Sequence, residues 1–138
     1  MSSIRYQINI ATNARSVWAA LTTADGWESW YADAARVDAR KGGRIVLTSE
    51  DDEGNPVEEI GIFLTYRPTS RLEIQWDSTG KAPTRGGRLS FNIARDGDET
   101  RVALVHSGGE VLSDEEARAS LEKAWGYAFK ALRGYLEG

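Results

Sequence analysis

The sequence predicts an α+β fold: one curved antiparallel sheet of about six to seven strands, two short helices, and a long C-terminal α-helix across the sheet's apolar face. Two observations carry this. From Ile4 to His106, apolar residues recur largely at every second position in short runs broken by turn residues, as antiparallel strands with one buried face require. From Ser113 to Glu137 the spacing changes to three and four, which keeps one stripe of a helix apolar.

The long helix organises the rest. Ser113-Asp114-Glu115-Glu116 reads as a capping box, with Ser113 as N-cap and Glu116 reaching back to it. Ala117, Leu121, Ala124, Trp125, Ala128, Phe129, Leu132, Tyr135 and Leu136 form the stripe, and Arg118, Glu122, Lys123, Lys130, Arg133 and Glu137 the opposite face. At about 1.5 Å per residue the helix reaches about 36 Å, against about 17–20 Å for an ordinary strand. It is long enough to lie across a whole sheet.

In chain order, Ile4, Tyr6, Ile8 and Ile10 share one face of a first strand. Thr12 or Asn13 then caps a short helix with Val17, Trp18, Ala20 and Leu21 inward. A second short helical segment, Asp25 to Tyr31, gathers Trp27, Trp30 and Tyr31, either to close the core or as a lid. Strands follow at Ala35 to Asp38, Gly43 to Thr48 and Val57 to Tyr66, separated by Lys41-Gly42-Gly43 and by Asp51 to Pro56. Leu72, Ile74 and Trp76, then Leu89, Phe91 and Ile93, alternate with polar residues, and Asp96-Gly97-Asp98 turns the chain into Thr100 to His106. Gly126, inside the helical stripe, suggests that another element approaches closely there.

The chain of 138 residues suits a single domain, 1–138, with one core. A net charge of −4 and a pI near 5.1 offer no cationic field for nucleic acid or anionic membrane. With no cysteine there is no disulfide, thiolate nucleophile or zinc-thiolate site. Met1-Ser2-Ser3-Ile4-Arg5 lacks the apolar run of a signal peptide, and no run approaches membrane-spanning length, so a cytoplasmic location is expected.

Several pieces together resemble a known family. Val17-Trp18-Ala19-Ala20-Leu21-Thr22, Trp27 with Trp30-Tyr31, and the double-glycine turn Asp38-Ala39-Arg40-Lys41-Gly42-Gly43-Arg44 occur in order. Gly61, Pro68, Leu72 and Trp76 follow, then Thr100-Arg101-Val102, His106-Ser107-Gly108, and Trp125 with Phe129, Leu132 and Tyr135-Leu136. The ordered set resembles the START-like or SRPBCC helix-grip superfamily, and within it the homologues of the heat-shock-protein ATPase activator. Two departures, Ala14 where members often have Pro and Ala124 where they often have Gly, are replacements a helix accepts. The resemblance implies a sheet wrapped around the long helix with a cavity between them. It also implies carriers, cyclases and chaperone co-factors as function classes.

The residues offer little catalytic chemistry. His106 is the only histidine, which excludes a His-rich metal site. It points to the apolar face, as a hydrogen-bonded residue at its strand end or as a general base. Glu58 and Glu59, adjacent on a strand, face opposite sides without a bulge, and Glu73 is expected to face solvent with Arg71 and Gln75. Gly42-Gly43 and Gly86-Gly87 lack the context of phosphate loops, Ser107-Gly108-Gly109 is no nucleophile elbow, and Asp51-Asp52-Glu53 is a hairpin tip rather than a calcium loop. Neither cofactor nor metal is expected.

The aromatic inventory is more informative. Trp30, Trp76, Phe91, Leu104, His106, Leu121, Trp125 and Phe129 are the candidate lining of an apolar site between helix and sheet, with Gln75 another edge candidate. An empty cavity of about 300 Å³ would cost about 7 kcal/mol, comparable with a domain's whole stability of about 5–15 kcal/mol. Such a space must be filled, wetted or collapsed. The leading expectation is a non-enzymatic protein that binds a small apolar or aromatic molecule. The alternatives are a protein-binding module acting on a chaperone ATPase and a cyclase- or lyase-type enzyme with His106 as base. A monomer and a homodimer fit equally.

Overall fold

The computed structural model describes residues 3–138. Met1 and Ser2, part of the leader reading above, lie outside the described residues. Strand β1 (Ile4–Ile10) leads into helices α1 (Ala14–Thr22) and α2 (Ala24–Trp30). Strands β2 (Ala34–Val37), β3 (Arg44–Glu50), β4 (Pro56–Arg67), β5 (Arg71–Trp76), β6 (Gly87–Asp96) and β7 (Glu99–Gly108) follow, then a 3₁₀ turn (Glu110–Ser113) and helix α3 (Glu115–Glu137).

The strands form one seven-stranded sheet in the order β1-β7-β6-β5-β4-β3-β2. Every pairing is antiparallel, so β2 to β7 make a continuous meander and only β1 crosses over, to join β7. Period-two alternation is what specifies this register. A one-residue slip would turn Leu72 and Ile74, both fully buried, to the outer face. The register of β4 and β5 shifts between Phe63 and Thr65, so Phe63 and Tyr66 both reach toward the core although three residues apart.

Both short helices begin at side-chain caps. Asn13 accepts the Ser16 N–H at 2.8 Å, and Thr23 accepts the Gly26 N–H at 2.9 Å, each satisfying an amide with no partner in its own helix. Thr23 thus ends α1 and opens α2.

The expected start of α3 needs a correction. Ser113 is not the N-cap: its hydroxyl donates to the Glu110 carbonyl at 2.6 Å within the 3₁₀ turn, and Asp114 accepts the Ala117 N–H at 3.0 Å instead. The turn consumes the Ser113 hydroxyl locally, and Asp114, one residue on, places a carboxylate at the positive end of the helix. The buried stripe is also narrower than the sequence suggested. Leu121, Trp125, Phe129 and Leu132 are buried, whereas Tyr135 is 45% exposed. Gly126 does mark a close approach, since a Cβ there would lie 3.2 Å from the Tyr6 hydroxyl of β1.

Helix α3 runs alongside β1 in the same direction. Arg118 Nη2 donates to the Ser3 carbonyl near one end, and Arg133 donates to the Asn9 carbonyl near the other. This alignment carries Trp125 and Phe129 across the inner face of the sheet. Trp27 and Trp30 stack with ring centroids 4.9 Å apart, and their indole N–H groups donate to the Leu21 and Ala20 carbonyls. Both rings therefore fasten α2 to α1.

Candidate functional site

Polar side chains collect at one end of the sheet's inner face, where β4 contributes Glu59, β5 Trp76 and β7 His106. Glu58 is exposed while Glu59 is only 7% exposed, the alternation that strand geometry demands. The Glu59 Oε2 accepts from the Tyr31 hydroxyl at 2.9 Å and from the Thr84 hydroxyl at 2.5 Å. Burial pushes the Glu59 carboxyl above its ordinary 4.5, against the pull of those two hydrogen bonds. The Tyr31 phenol is pushed well above its usual 10 by burial and then by the neighbouring carboxylate, so it remains a donor.

His106 is 1% exposed, and its Nδ1 accepts the Trp125 Nε1–H at 3.1 Å. An indole nitrogen only donates, so Nδ1 holds a lone pair and the ring proton sits on Nε2. Burial lowers the His106 pKa from 6.5 to about 4. Protonation at Nδ1 would, in addition, set two donors against each other. As a general base the ring is therefore poorly arranged, because its basic nitrogen is occupied by Trp125.

Trp125 ties these pieces together. Its ring stacks on Tyr31 at 5.7 Å with a 25° interplanar angle and meets Phe129 edge-on at 6.3 Å. Trp76 is 2% exposed, and its Nε1–H is the one buried side-chain polar atom without a partner among the described residues. Its Cε3 edge packs on Gly61, where an added Cβ would lie 2.7 Å away.

Of the eight residues predicted from sequence, His106, Trp125 and Phe129 form one contacting group. Phe91 and Leu104 are register partners on β6 and β7, while Trp30 is spent on the α1–α2 junction. All eight are buried. Tyr31, Glu59 and Thr84 were missed as members of the site. Glu59 carried no decisive signal, because β4 has apolar residues at both parities. Thr84 carried no signal, because it lies in an irregular loop. Glu73 shares the outer face with Arg71 and Gln75 as expected, but its side chain is only 16% exposed and accepts from Thr65, Ser90 and Arg71 at 2.6, 2.8 and 3.0 Å. The Thr65 and Ser90 hydrogen bonds lead in lowering its pKa.

The protein's own rings occupy the space between α3 and this end of the sheet. Beside it, an open groove of about 750 Å³ runs between α3 and the β5–β6 loop, with Pro83, Val111, Leu121 and Tyr127 on its walls and Arg85 and Lys123 at its rim. Pro83 adjoins Thr84, whose hydroxyl holds Glu59. Another open depression, about 670 Å³ and flanked by Arg44, Ile62 and Gln75, reaches Gly61 and Trp76 at the same end of the sheet. Among the described residues no three His, Asp or Glu side chains are placed to share a metal ion, and no helix is long and apolar enough to cross a membrane.

The sequence pattern of the family described as Activator of Hsp90 ATPase homolog 1-like protein matches residues 11–137. The chain belongs to this family. AHSA1-like proteins are helix-grip folds of the START-like or SRPBCC superfamily, and the seven-stranded sheet with its long C-terminal helix matches solved members. The Aha1 dimer of Colwellia psychrerythraea superposes with a TM-score of 0.81 at 20% identity, over 99% of this chain and 97% of that one. The AHSA1-like protein of Aeromonas hydrophila gives 0.77 at 20% identity, over 96% and 92%. CalU16 of Micromonospora echinospora gives 0.75 at 22% identity, over 97% and 75%. At these identities the likeness concerns the fold. No curated protein matches the sequence significantly.

Proposed function

We propose that this AHSA1-like chain binds a small apolar or aromatic molecule between α3 and the Glu59–His106 end of the sheet. The observation that carries the reading is a carboxyl and an imidazole buried among stacked aromatic rings, next to an open groove. Burying such groups costs free energy that an all-apolar packing would avoid. A few convergent polar groups in an aromatic wall is also the usual composition of a small-molecule site. Entry is by the groove: movement of the Pro83–Arg85 loop releases Thr84 from Glu59, and Tyr31 swings off Trp125 to yield its place. The lining named from sequence is retained, with Tyr31, Glu59 and Thr84 added and Trp30 acting at the helix junction.

Native mass spectrometry tests this, with fatty acids, sterols, flavonoids and polycyclic aromatics offered to the purified protein. A stoichiometric adduct that is lost in Trp125→Ala, with the fold retained by circular dichroism, is the expected result. Failure of the whole panel to bind would sink the proposal. The same spectra report whether the chain is a monomer or a homodimer.

Family membership supports a second reading, a chaperone partner whose ATPase the protein modulates. An Hsp90 ATPase rate unchanged by stoichiometric protein would remove it.

A further inference from the structure

We infer that the molecule bound at this site carries a neutral hydrogen-bond acceptor, a carbonyl oxygen on an apolar ring system, and that this oxygen takes the Trp76 indole N–H. The inference rests on the ligand-site reading above and narrows its chemistry.

Trp76 carries a buried donor that has no partner among the described residues. Buried polar groups in folded proteins are overwhelmingly hydrogen-bonded, and each exception asks for a reason. Trp76 is 2% exposed and its Nε1–H is unpartnered among the described residues. Three other buried indoles differ: Trp27, Trp30 and Trp125 donate, to Leu21, Ala20 and His106. The Cε3 edge of the Trp76 ring is pressed onto Gly61 of β4, and Nε1 lies on the opposite edge of an indole. The N–H is thus directed away from Gly61.

A second donor lies close by. Gln75 pairs with Arg88, which makes Trp76 and Gly87 neighbours across β5 and β6. The His106 Nε2 closes over Gly87, where an added Cβ would be 2.7 Å from it. Because Nδ1 accepts from Trp125, this Nε2 carries the proton. The unpartnered Trp76 N–H thus shares this end of the inner face with a second N–H, that of His106.

The surrounding charge decides which acceptor. Glu59 is buried in the same cluster, and an anion would meet both its carboxyl oxygens and a dry wall of aromatic rings. The groove's cations, Arg85 and Lys123, share its lining with Asp52, and Arg85 is already engaged by Glu110 at 3.0 Å. A carboxylate therefore finds no free cationic partner at Trp76, whereas a neutral carbonyl satisfies the indole N–H with no charge to bury.

The test compares 9-fluorenone with fluorene, rings of nearly the same shape that differ in the carbonyl, on ¹⁵N-labelled protein. The indole N–H resonance of Trp76 is identified by its disappearance in Trp76→Phe. The expected result is that fluorenone binds about ten-fold more tightly than fluorene, moves the Trp76 indole proton downfield, and loses its advantage in Trp76→Phe. Equal affinity of the two compounds, or a stationary Trp76 resonance on saturation with fluorenone, would overturn the inference while leaving the pocket in place. Binding of neither compound would overturn the inference together with the ligand-site reading on which it rests. If Trp76→Phe does not fold, single replacements of the other four tryptophans identify the resonance by elimination, and the wild-type titrations decide.

Discussion

At one end of the sheet's inner face Ile10, Leu72, Ile93 and Val102 share the core with Val17, Trp18 and Leu21 of α1; at the other, Glu59, Trp76 and His106 meet Tyr31, Thr84 and Trp125. The first end is held by area removed from water, which is nearly indifferent to pH. The second depends on protonation states and hydrogen-bond partners, and it alone adjoins the groove. On the proposed function, stability and binding fall to opposite ends of one surface.

The largest effect should come from the apolar end. Leu72→Ala is expected to cost about 2–5 kcal/mol, read as a lower urea midpoint with unchanged slope. A cost below about 1 kcal/mol would mean that this end is loosely packed.

The polar end should reveal itself in pH dependence. His106 stays neutral in the fold, so on acidification the unfolded chain takes up its proton first, near 6.5. Its contribution is complete above 6.5 and is lost as pH falls toward about 4, by about 3 kcal/mol in all. His106→Gln should abolish this slope, whereas Leu72→Ala should lower the whole profile without changing its shape. Glu59 works in the opposite sense, because burial raises its pKa: stability is complete below 4.5 and declines as pH rises through the folded value. Glu59→Gln should flatten that decline, and persistence of the decline would show that another group causes it.

Smaller effects separate the two ends further. Trp125→Phe removes the N–H that faces His106 Nδ1, with an expected loss of about 0.5–1.5 kcal/mol and a rise in the His106 pKa from about 4. An NMR titration of this lone histidine measures it, and an unmoved pKa would show that the hydrogen bond contributes nothing. Smallest, Asp114→Ala should cost about 1 kcal/mol by thermal melting and Ser113→Ala less, because Asp114 holds the helix amide. The reverse order would restore Ser113 as the cap.

The fold was legible to a large degree because its signals are local. Alternation in Leu72-Glu73-Ile74-Gln75-Trp76 and the four-residue steps from Leu121 through Trp125 to Phe129 each name a buried face without reference to any other segment. The candidate site was legible in part. Trp125 and His106 announced themselves by type and parity. Glu59 lies on a strand with apolar residues at both parities, Val57 and Phe63 on its own face and Ile60 and Ile62 on the other, so periodicity could not choose a side for it. Tyr31 was noticed as one of a cluster of aromatics, but not as a donor to a carboxylate 28 residues away.

The order of elements, the antiparallel meander, the long covering helix and the family are all written in the sequence, because propensity, turn chemistry and periodicity act over a few residues. Which polar groups meet is a matter of three-dimensional packing. The Trp125–His106 bond, the convergence of Tyr31 and Thr84 on Glu59, and the lack of a partner for Trp76 depend on the tilt of α3, the register of β4 and the path of the β5–β6 loop. Those are set by packing among segments far apart in the chain, where a hydrogen bond forms or fails within a few tenths of an ångström.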